Sequence, residues 1–176
     1  MSIELPLILE AILLTANKPL SLEQLASLFS AEQAINKASL KQGLQQLAAQ
    51  TETRSFELIE TASGYRLQTK PVYSSWVSRH QEEKVSKYSR VFLETLALIA
   101  WRQPITRAEI EEIRGVAVNA NVLRALLERE WIQVLGYKEV PGRPELLGTT
   151  KQFLDYFNLK SLEDLPRLGE LKELGM

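Results

Sequence analysis

Ser89–Gly115 reads SRVFLETLALIAWRQPITRAEIEEIRG, and this stretch decides the fold. Phe92, Leu93, Leu96, Ile99 and Ala100 recur at spacings of three and four, which predicts a helix with one buried face. Arg102-Gln103-Pro104 ends that helix, because the proline ring disfavours helical geometry at Gln103 and brings no backbone donor of its own. Thr106 followed three residues later by Glu109 is a capping box, so a second helix starts at once. Its apolar positions are Ile110 and Ile113, and Gly115 stands where a left-handed residue would close it. The pair is a helix-turn-helix.

The same unit occurs earlier in the chain. Residues 7–28 moved forward by 85 positions put Pro19 on Pro104, Leu20 on Ile105, Ser21 on Thr106, Gln24 on Glu109, Leu25 on Ile110 and Leu28 on Ile113. Ile8 falls on Leu93, Ala11 on Leu96 and Leu14 on Ile99. Proline, cap and apolar spacing recur together, which identifies a tandem repeat of one small domain.

Each copy continues alike. In the first, Leu5–Thr15 and Ser21–Phe29 are helices around the turn Asn17-Lys18-Pro19. A third helix is expected over Ser39–Ala49, with Leu40, Leu44 and Leu47 inward. The segments from Phe56 and from Tyr65 alternate apolar and polar residues about Ser63-Gly64, which predicts a β-hairpin. Pro71 ends it, and Val72–His80 reads as a short helix carrying Trp76 and Val77. In the second copy, Asn121–Arg129 is the third helix, with Leu123, Leu126 and Leu127 expected inward. Strands from Trp131 and through Leu146-Leu147 flank the stiff turn Val140-Pro-Gly-Arg-Pro, and Lys151–Phe157 is a last helix. Ser161–Leu165 adds a further turn.

Helix-turn-helix, third helix and hairpin wing make a winged helix. The expected fold class is therefore α+β, mainly helical, with two tandem winged-helix domains. They span 1–80 and 89–166, with a polar linker at 81–88 and a tail, 167–176, that holds little to anchor it and is expected to be mobile.

Composition narrows the function. The 176 residues hold no cysteine, which excludes disulfides and thiolate metal sites and suits a reducing cytoplasm. His80, the single histidine, lies at the edge of the linker and cannot build a zinc site alone. No segment approaches the roughly 20 apolar residues of a membrane span, and the N-terminus lacks a signal peptide's basic start. Lys and Arg number 21 against 22 Asp and Glu, so no general attraction to nucleic acid or membranes follows. Glu109, Glu111 and Glu112 cluster, but around a helix start, where carboxylates favour the dipole. No nucleophile–histidine pair and no phosphate-binding glycine loop is present, so neither enzymatic chemistry nor a cofactor is expected.

DNA binding is the rival reading, because helix-turn-helix domains place a helix in the major groove. The first copy's third helix offers Lys41 and several glutamines. The second offers Asn121, Arg124 and Arg129, offset by Glu128 and Glu130. Phosphate contact needs several cations, so DNA binding is expected to be at most weak or indirect. A protein partner is favoured over a DNA-binding transcriptional regulator.

Leu93-Glu-Thr-Leu-Ala, Arg102-Gln-Pro-Ile-Thr-Arg-Ala-Glu-Ile, Ile113-Arg-Gly-Val, Leu126-Leu-Glu-Arg, Val140-Pro-Gly-Arg-Pro, Gly148-Thr-Thr and Phe153-Leu resemble, in order, the second winged-helix domain of the segregation and condensation protein B family. The first domain matches mainly by architecture and by its Leu-Glu-Ala-Ile-Leu start. The resemblance implies a cytoplasmic, nucleoid-associated, non-enzymatic homodimer paired through the first domain. It also implies binding to the kleisin, segregation and condensation protein A, and through it to the SMC ATPase in chromosome condensation and segregation. Two departures stand out. Glu130 occupies a position where the family usually has glycine, so the third helix is expected to end differently, and the loop 117–121 lacks the usual Ser/Asp pattern.

Two candidate surfaces follow. Helix Leu5–Thr15 is apolar on more than one side, which marks Leu5, Ile8, Leu9 and Ile12 as candidate dimer residues. Arg102, Gln103, Pro104 and Arg107 of the turn, with Arg143 of the wing, stand on proline-stiffened supports and are the candidate partner-binding residues. The alternative is that they brace the domain internally, Arg143 pairing with Glu109 or Glu112.

Overall fold

A computed structural model describes residues 4–30, 35–80 and 88–166. The chain divides into two compact units, Met1–Val85 and Ser86–Met176. Apart from Tyr88, the expected linker lies outside the described residues, as does the expected tail. The fold is α+β and mainly helical, a winged helix in each unit.

The first unit contains α1 (Leu5–Thr15), α2 (Leu22–Ser27), α3 (Lys37–Gln50), β1 (Phe56–Thr61), β2 (Gly64–Thr69), a 3-10 turn at Pro71–Tyr73 and α4 (Ser74–His80). Pro6 lies in the first turn of α1, where a missing amide hydrogen costs nothing. Ser21 accepts from the Gln24 amide and Gln24 returns a bond to the Ser21 amide, closing a capping box on α2. Leu9, Leu13, Leu25, Leu40, Leu44 and Leu47 form the core, as the spacing within α3 predicts. β1 and β2 pair antiparallel, from Phe56 opposite Thr69 to Thr61 opposite Gly64. Leu20 adds a single bridge to this sheet, exchanging two backbone hydrogen bonds of 2.9 Å with Tyr65.

The second unit repeats the plan with α5 (Arg90–Arg102), α6 (Arg107–Arg114), α7 (Ala120–Glu128), β3 (Ile132–Tyr137), β4 (Glu145–Thr149) and α8 (Lys151–Tyr156), followed by a 3-10 turn at Leu162–Asp164. Thr106 and Glu109 complete the capping box, and Gly115 is left-handed with φ 68°. Ile105 bridges Leu147 as Leu20 bridges Tyr65, so the repeat extends to the strand residue after the proline. The core holds Phe92, Leu96, Ile99, Ala100, Ile105, Ile110, Val118, Leu126, Trp131, Ile132, Leu147 and Phe153.

Three residues expected inward are exposed instead: Leu93, Ile113 and Leu127. In α5 the buried stripe runs through Phe92, Thr95, Leu96, Ile99 and Ala100, and Leu93 lies beyond its edge. α6 and α7 are only 8 and 9 residues long and bury one residue each, Ile110 and Leu126. Small domains bury narrower helix faces than periodicity alone suggests.

The end of α7 explains one departure from the family pattern. Glu130 adopts φ 55°, the left-handed geometry that glycine favours, while the Glu130 amide donates to Leu127 O and the Trp131 amide to Leu126 O. The helix thus closes as it would with glycine, contrary to the expected difference. A side chain in this conformation costs about 1–2 kcal/mol, and glycine's greater freedom when unfolded returns about 0.4–1 kcal/mol. Glu130→Gly is therefore expected to stabilise the second unit, by up to about 1 kcal/mol, read as a higher urea midpoint. A lower midpoint would refute this account. In the departing loop, Asn119 caps α7 by accepting from the Asn121 amide, the role a serine or aspartate would play.

Candidate partner-binding surface

The turn between α5 and α6 exposes some side chains and ties down others. Gln103 leaves the helix with ψ 141°, its amide still donating to Ile99 O. Its side chain faces inward. Oε1 accepts from the Thr149 amide at 2.7 Å, and Nε2 donates to Ala100 O at 3.1 Å and to Thr149 Oγ1 at 2.9 Å. Gln103 therefore splices the end of α5 to β4. Arg107 is half committed, with Nε 2.9 Å from Glu111 Oε1 and Nη2 donating to Val118 O at 2.7 Å. Arg102 and Pro104 are exposed, and the Arg102 side chain makes no hydrogen bond or ion pair among the described residues. An open depression of about 520 Å³ lies beside them, lined by Arg102, Pro104, Ile105, Glu109, Glu112 and Ile113.

The wing carries Arg143 at its tip, with φ 38° beside Gly142 at φ 85°. Its side chain is 71% exposed, and Nη2 reaches Glu139 only at 3.8 Å. The guanidinium lies 5.9 Å from the centre of the Tyr137 ring. The expected alternative, Arg143 paired with Glu109 or Glu112, is not found: Lys138 takes Glu109, at 2.6 Å. Lys138 directly follows β3 and reaches α6, whereas Arg143 stands farther out at the tip of the turn.

Lys138, then the Thr106 amide and hydroxyl, hold the Glu109 carboxyl down to a pKa of about 2 from its usual 4.5. A carboxyl whose folded pKa is depressed stabilises the fold above its unfolded pKa and loses that contribution as pH falls through the folded one. Glu109 should therefore contribute fully above about pH 4.5 and progressively less toward pH 2. Melting temperatures of Glu109→Gln and the parent should converge across that window. Parallel curves would show that the carboxylate is not the group responsible.

On α1, Leu5, Ile8 and Ile12 are half-buried, while Leu9 is fully buried in the first core. Leu9 consequently has no surface to offer a partner, and the exposed leucines of the helix are Leu7 and Leu14. Sequence reasoning missed both, because a helix apolar on every side does not reveal which leucines its own core takes.

Two leucines that spacing places inward also line a surface groove: Leu127, which is exposed, and Leu123, which is half-buried against the core. Ala120, Leu123 and Leu127 of α7 face Pro144 and Leu147 of the wing across about 350 Å³, with Arg107, Arg124 and Glu145 at the rim. The signal was present in the 3-4 spacing of 120, 123 and 127, a second stripe beside the one through Leu126.

Of the cations on the α7 segment, Arg129 is drawn away. Its guanidinium lies 5.4 Å from the Tyr88 ring centre and 5.8 Å from that of Phe92. Among the described residues no group of three His, Cys, Asp or Glu could hold a metal, and no helix is long and apolar enough to cross a membrane.

These features define a tandem winged-helix protein. The chain belongs to the segregation and condensation complex subunit ScpB family, whose pattern matches residues 7–168. A segregation and condensation protein B homolog of Coxiella burnetii is 49% identical over 168 residues, covering 96% of this chain and 80% of its own. The segregation and condensation protein B of Syntrophotalea carbinolica is 42% identical, covering 98% of this chain and 86% of its own. A crystal structure of ScpB from Mycobacterium tuberculosis is 33% identical and covers 89% of this chain and 96% of that one, at a TM-score of 0.40.

Proposed function

We propose that the chain is a non-enzymatic adaptor that binds the kleisin, segregation and condensation protein A. Through the kleisin it serves the SMC ATPase in chromosome condensation and segregation, in the cytoplasm at the nucleoid. Family membership supports this reading, and one observation carries it: the face that would read DNA is poorly charged and partly apolar. Arg129 is folded over Tyr88 and Phe92, which leaves Arg124 beside the apolar Leu123 and Leu127. The domain limits go with the proposal: 1–80 for dimerisation, 81–88 as linker, 89–166 for partner binding and 167–176 as tail.

Among the candidate residues, Arg102, Pro104 and Arg143 are available to a partner, whereas Gln103 and Arg107 brace the domain. Arg102→Ala with Arg143→Ala is expected to weaken kleisin binding by about 1 kcal/mol or more, with melting unchanged, since arginine is enriched among dominant interface residues. Gln103→Ala is expected to cost about 1–3 kcal/mol of stability instead, read as a lower melting temperature, because the Thr149 amide would lose its acceptor. If the double variant binds as tightly as the parent, the kleisin surface lies elsewhere.

Dimerisation is assigned to the first domain, through Leu7 and Leu14 with Leu5, Ile8 and Ile12 behind them. Light scattering should report a dimer for the full chain and a monomer for Leu7→Glu with Leu14→Glu; a dimer that survives both changes overturns the assignment. Titration with a short DNA duplex near physiological salt separates the rival. Submicromolar, sequence-selective binding would favour the transcriptional regulator, since specific complexes are about 10³-fold or more tighter than non-specific ones.

A further inference from the structure

α4 is a helix that its own unit does not hold. It spans seven residues, none of them buried, and three of them are serines. Isolated helices shorter than about 12–15 residues are marginal in water even in favourable sequences. The Ser78 hydroxyl bonds back to Ser74 O at 2.8 Å, a contact that competes with the helix more than it supports it. With the 3-10 turn before it, α4 displays an apolar stripe. Trp76 is 63% exposed and Val72 68%, and the Tyr73 ring lies 6.5 Å from that of Trp76. The three residues stand three and four apart, so they share one side. The basic residues of α4, Arg79 and His80, stand in its last turn. A second exposed stripe runs along α1 of the same unit, through Leu7, Ala11 and Leu14. The small Ala11 leaves a notch between the two leucines, the kind of hole into which a large side chain packs.

We propose that α4 of one copy lies across α1 of a second copy, with Trp76 over Ala11 and with Val72 and Tyr73 against Leu7 and Leu14. The other α4 makes the same contact in return. The inference rests on the dimer reading above and names what α1 meets there: the partner's α4, not the partner's α1. Area favours this pairing. Two half-exposed leucines are a small part of the about 800 Å² that each partner gives to a standard interface, whereas a buried tryptophan or tyrosine adds about 150–250 Å². In a two-fold pair every such contact is made twice, and the arrangement closes without leaving a stripe bare. Chemistry favours it too. The two stripes are apolar and of helical spacing, so each offers the other what water does not. A nucleic acid would find cations only at one end of α4, too few for phosphate contact. Docking also explains how so short a helix persists: most helical stability in proteins comes from packing of an apolar face.

The test uses the full chain, which contains no cysteine, so introduced thiols report on the new contact alone. Ala11→Cys and Val72→Cys, carried on separate chains, co-expressed and oxidised, should give a disulfide-linked pair of twice the chain mass. Either variant oxidised alone should give several-fold less. By light scattering, Trp76→Glu should convert the dimer to a monomer whose circular dichroism still shows a folded chain, because no core residue is touched. Trp76→Phe, which keeps a ring, should remain a dimer. So should Leu28→Glu, an equally exposed apolar-to-charged change off both stripes. If the parent is a dimer and Trp76→Glu is one too, the α4 contact is overturned and the dimer reading stands. If Ala11→Cys alone links as well as the mixture, α1 meets α1 and the proposal is overturned. It is likewise overturned if Leu28→Glu also gives a monomer, since the effect is then not local. If the parent is itself a monomer, the dimer reading falls and this proposal with it.

Discussion

Gly64→Ala is expected to destabilise the first unit by about 3 kcal/mol or more, a large effect for one methyl group. Gly64 starts β2 with φ 141°, where side chains are rarely found, and holding one there costs about 1–3 kcal/mol. Space is the harder constraint. A Cβ at this position would lie 2.2 Å from Leu20 O and 2.6 Å from Ser21 N. Both are backbone atoms, so no rotamer change relieves the overlap. The chain would have to withdraw Leu20 from Tyr65, breaking the two hydrogen bonds of their bridge, each worth about 0.5–1.5 kcal/mol net. Ser21, next in line, caps α2, so the displacement would reach that helix too. Gly148 makes the contrast. A Cβ there would meet Leu135 Cδ1 at 2.4 Å and Gln103 Oε1 at 2.8 Å, both on side chains. Gly148→Ala should therefore cost distinctly less. Calorimetry on the full chain reads both, and equal losses would show that the close backbone approach is not the cause.

Gly64 also shows where sequence reading stops. The Ser63-Gly64 turn was legible as a hairpin signal, but the reason for glycine lies 44 positions upstream, at Leu20. Local signals were legible throughout. α1 has the expected limits, both capping boxes form, and Gly115 is left-handed. Each of these is decided within four residues. Pairings set by the third dimension were not legible. Gln103 reaches Thr149 and Lys138 reaches Glu109, 46 and 29 residues away, and neither partner follows from a spacing rule. The candidate site suffered accordingly. Of five residues chosen for stiff supports, two turned out to be parts of the support, and Leu127, taken for core, lies in the groove. Hydrophobic spacing reveals that a stripe exists; it does not say whether the domain itself covers it.

Trp131 joins the core of the second unit to the start of its chain, and Trp131→Ala is expected to cost about 3–5 kcal/mol, the range for removing a large buried aromatic. The side chain is 3% exposed at the start of the wing. Its ring lies 4.4 Å from the ring centre of Tyr156, 5.2 Å from Phe157, 5.3 Å from Tyr88 and 6.0 Å from Phe92. Tilted and edge-on pairs of this kind each add about 0.5–1.5 kcal/mol beyond the area they bury. Tyr88 is in turn stacked on Phe92 at 5.0 Å and within 3.4 Å of the Tyr156 hydroxyl, and Arg129 lies across both Tyr88 and Phe92. Removing the indole would undo the packing of Tyr88, by which the chain enters the unit, and with it the ring faces on which Arg129 lies. Natural proteins hold only about 0.05–0.15 kcal/mol per residue of stability, so a unit of this size would lose a large share of what keeps it folded. Guanidinium unfolding should show a much earlier transition for Trp131→Ala, whereas Trp131→Phe, which keeps a ring in place, should recover the larger part of the loss. If kleisin binding resides in the second unit, Trp131→Ala should abolish it at temperatures where the first unit remains folded. A variant that melts like the parent would mean that the cluster is not what holds the second unit together.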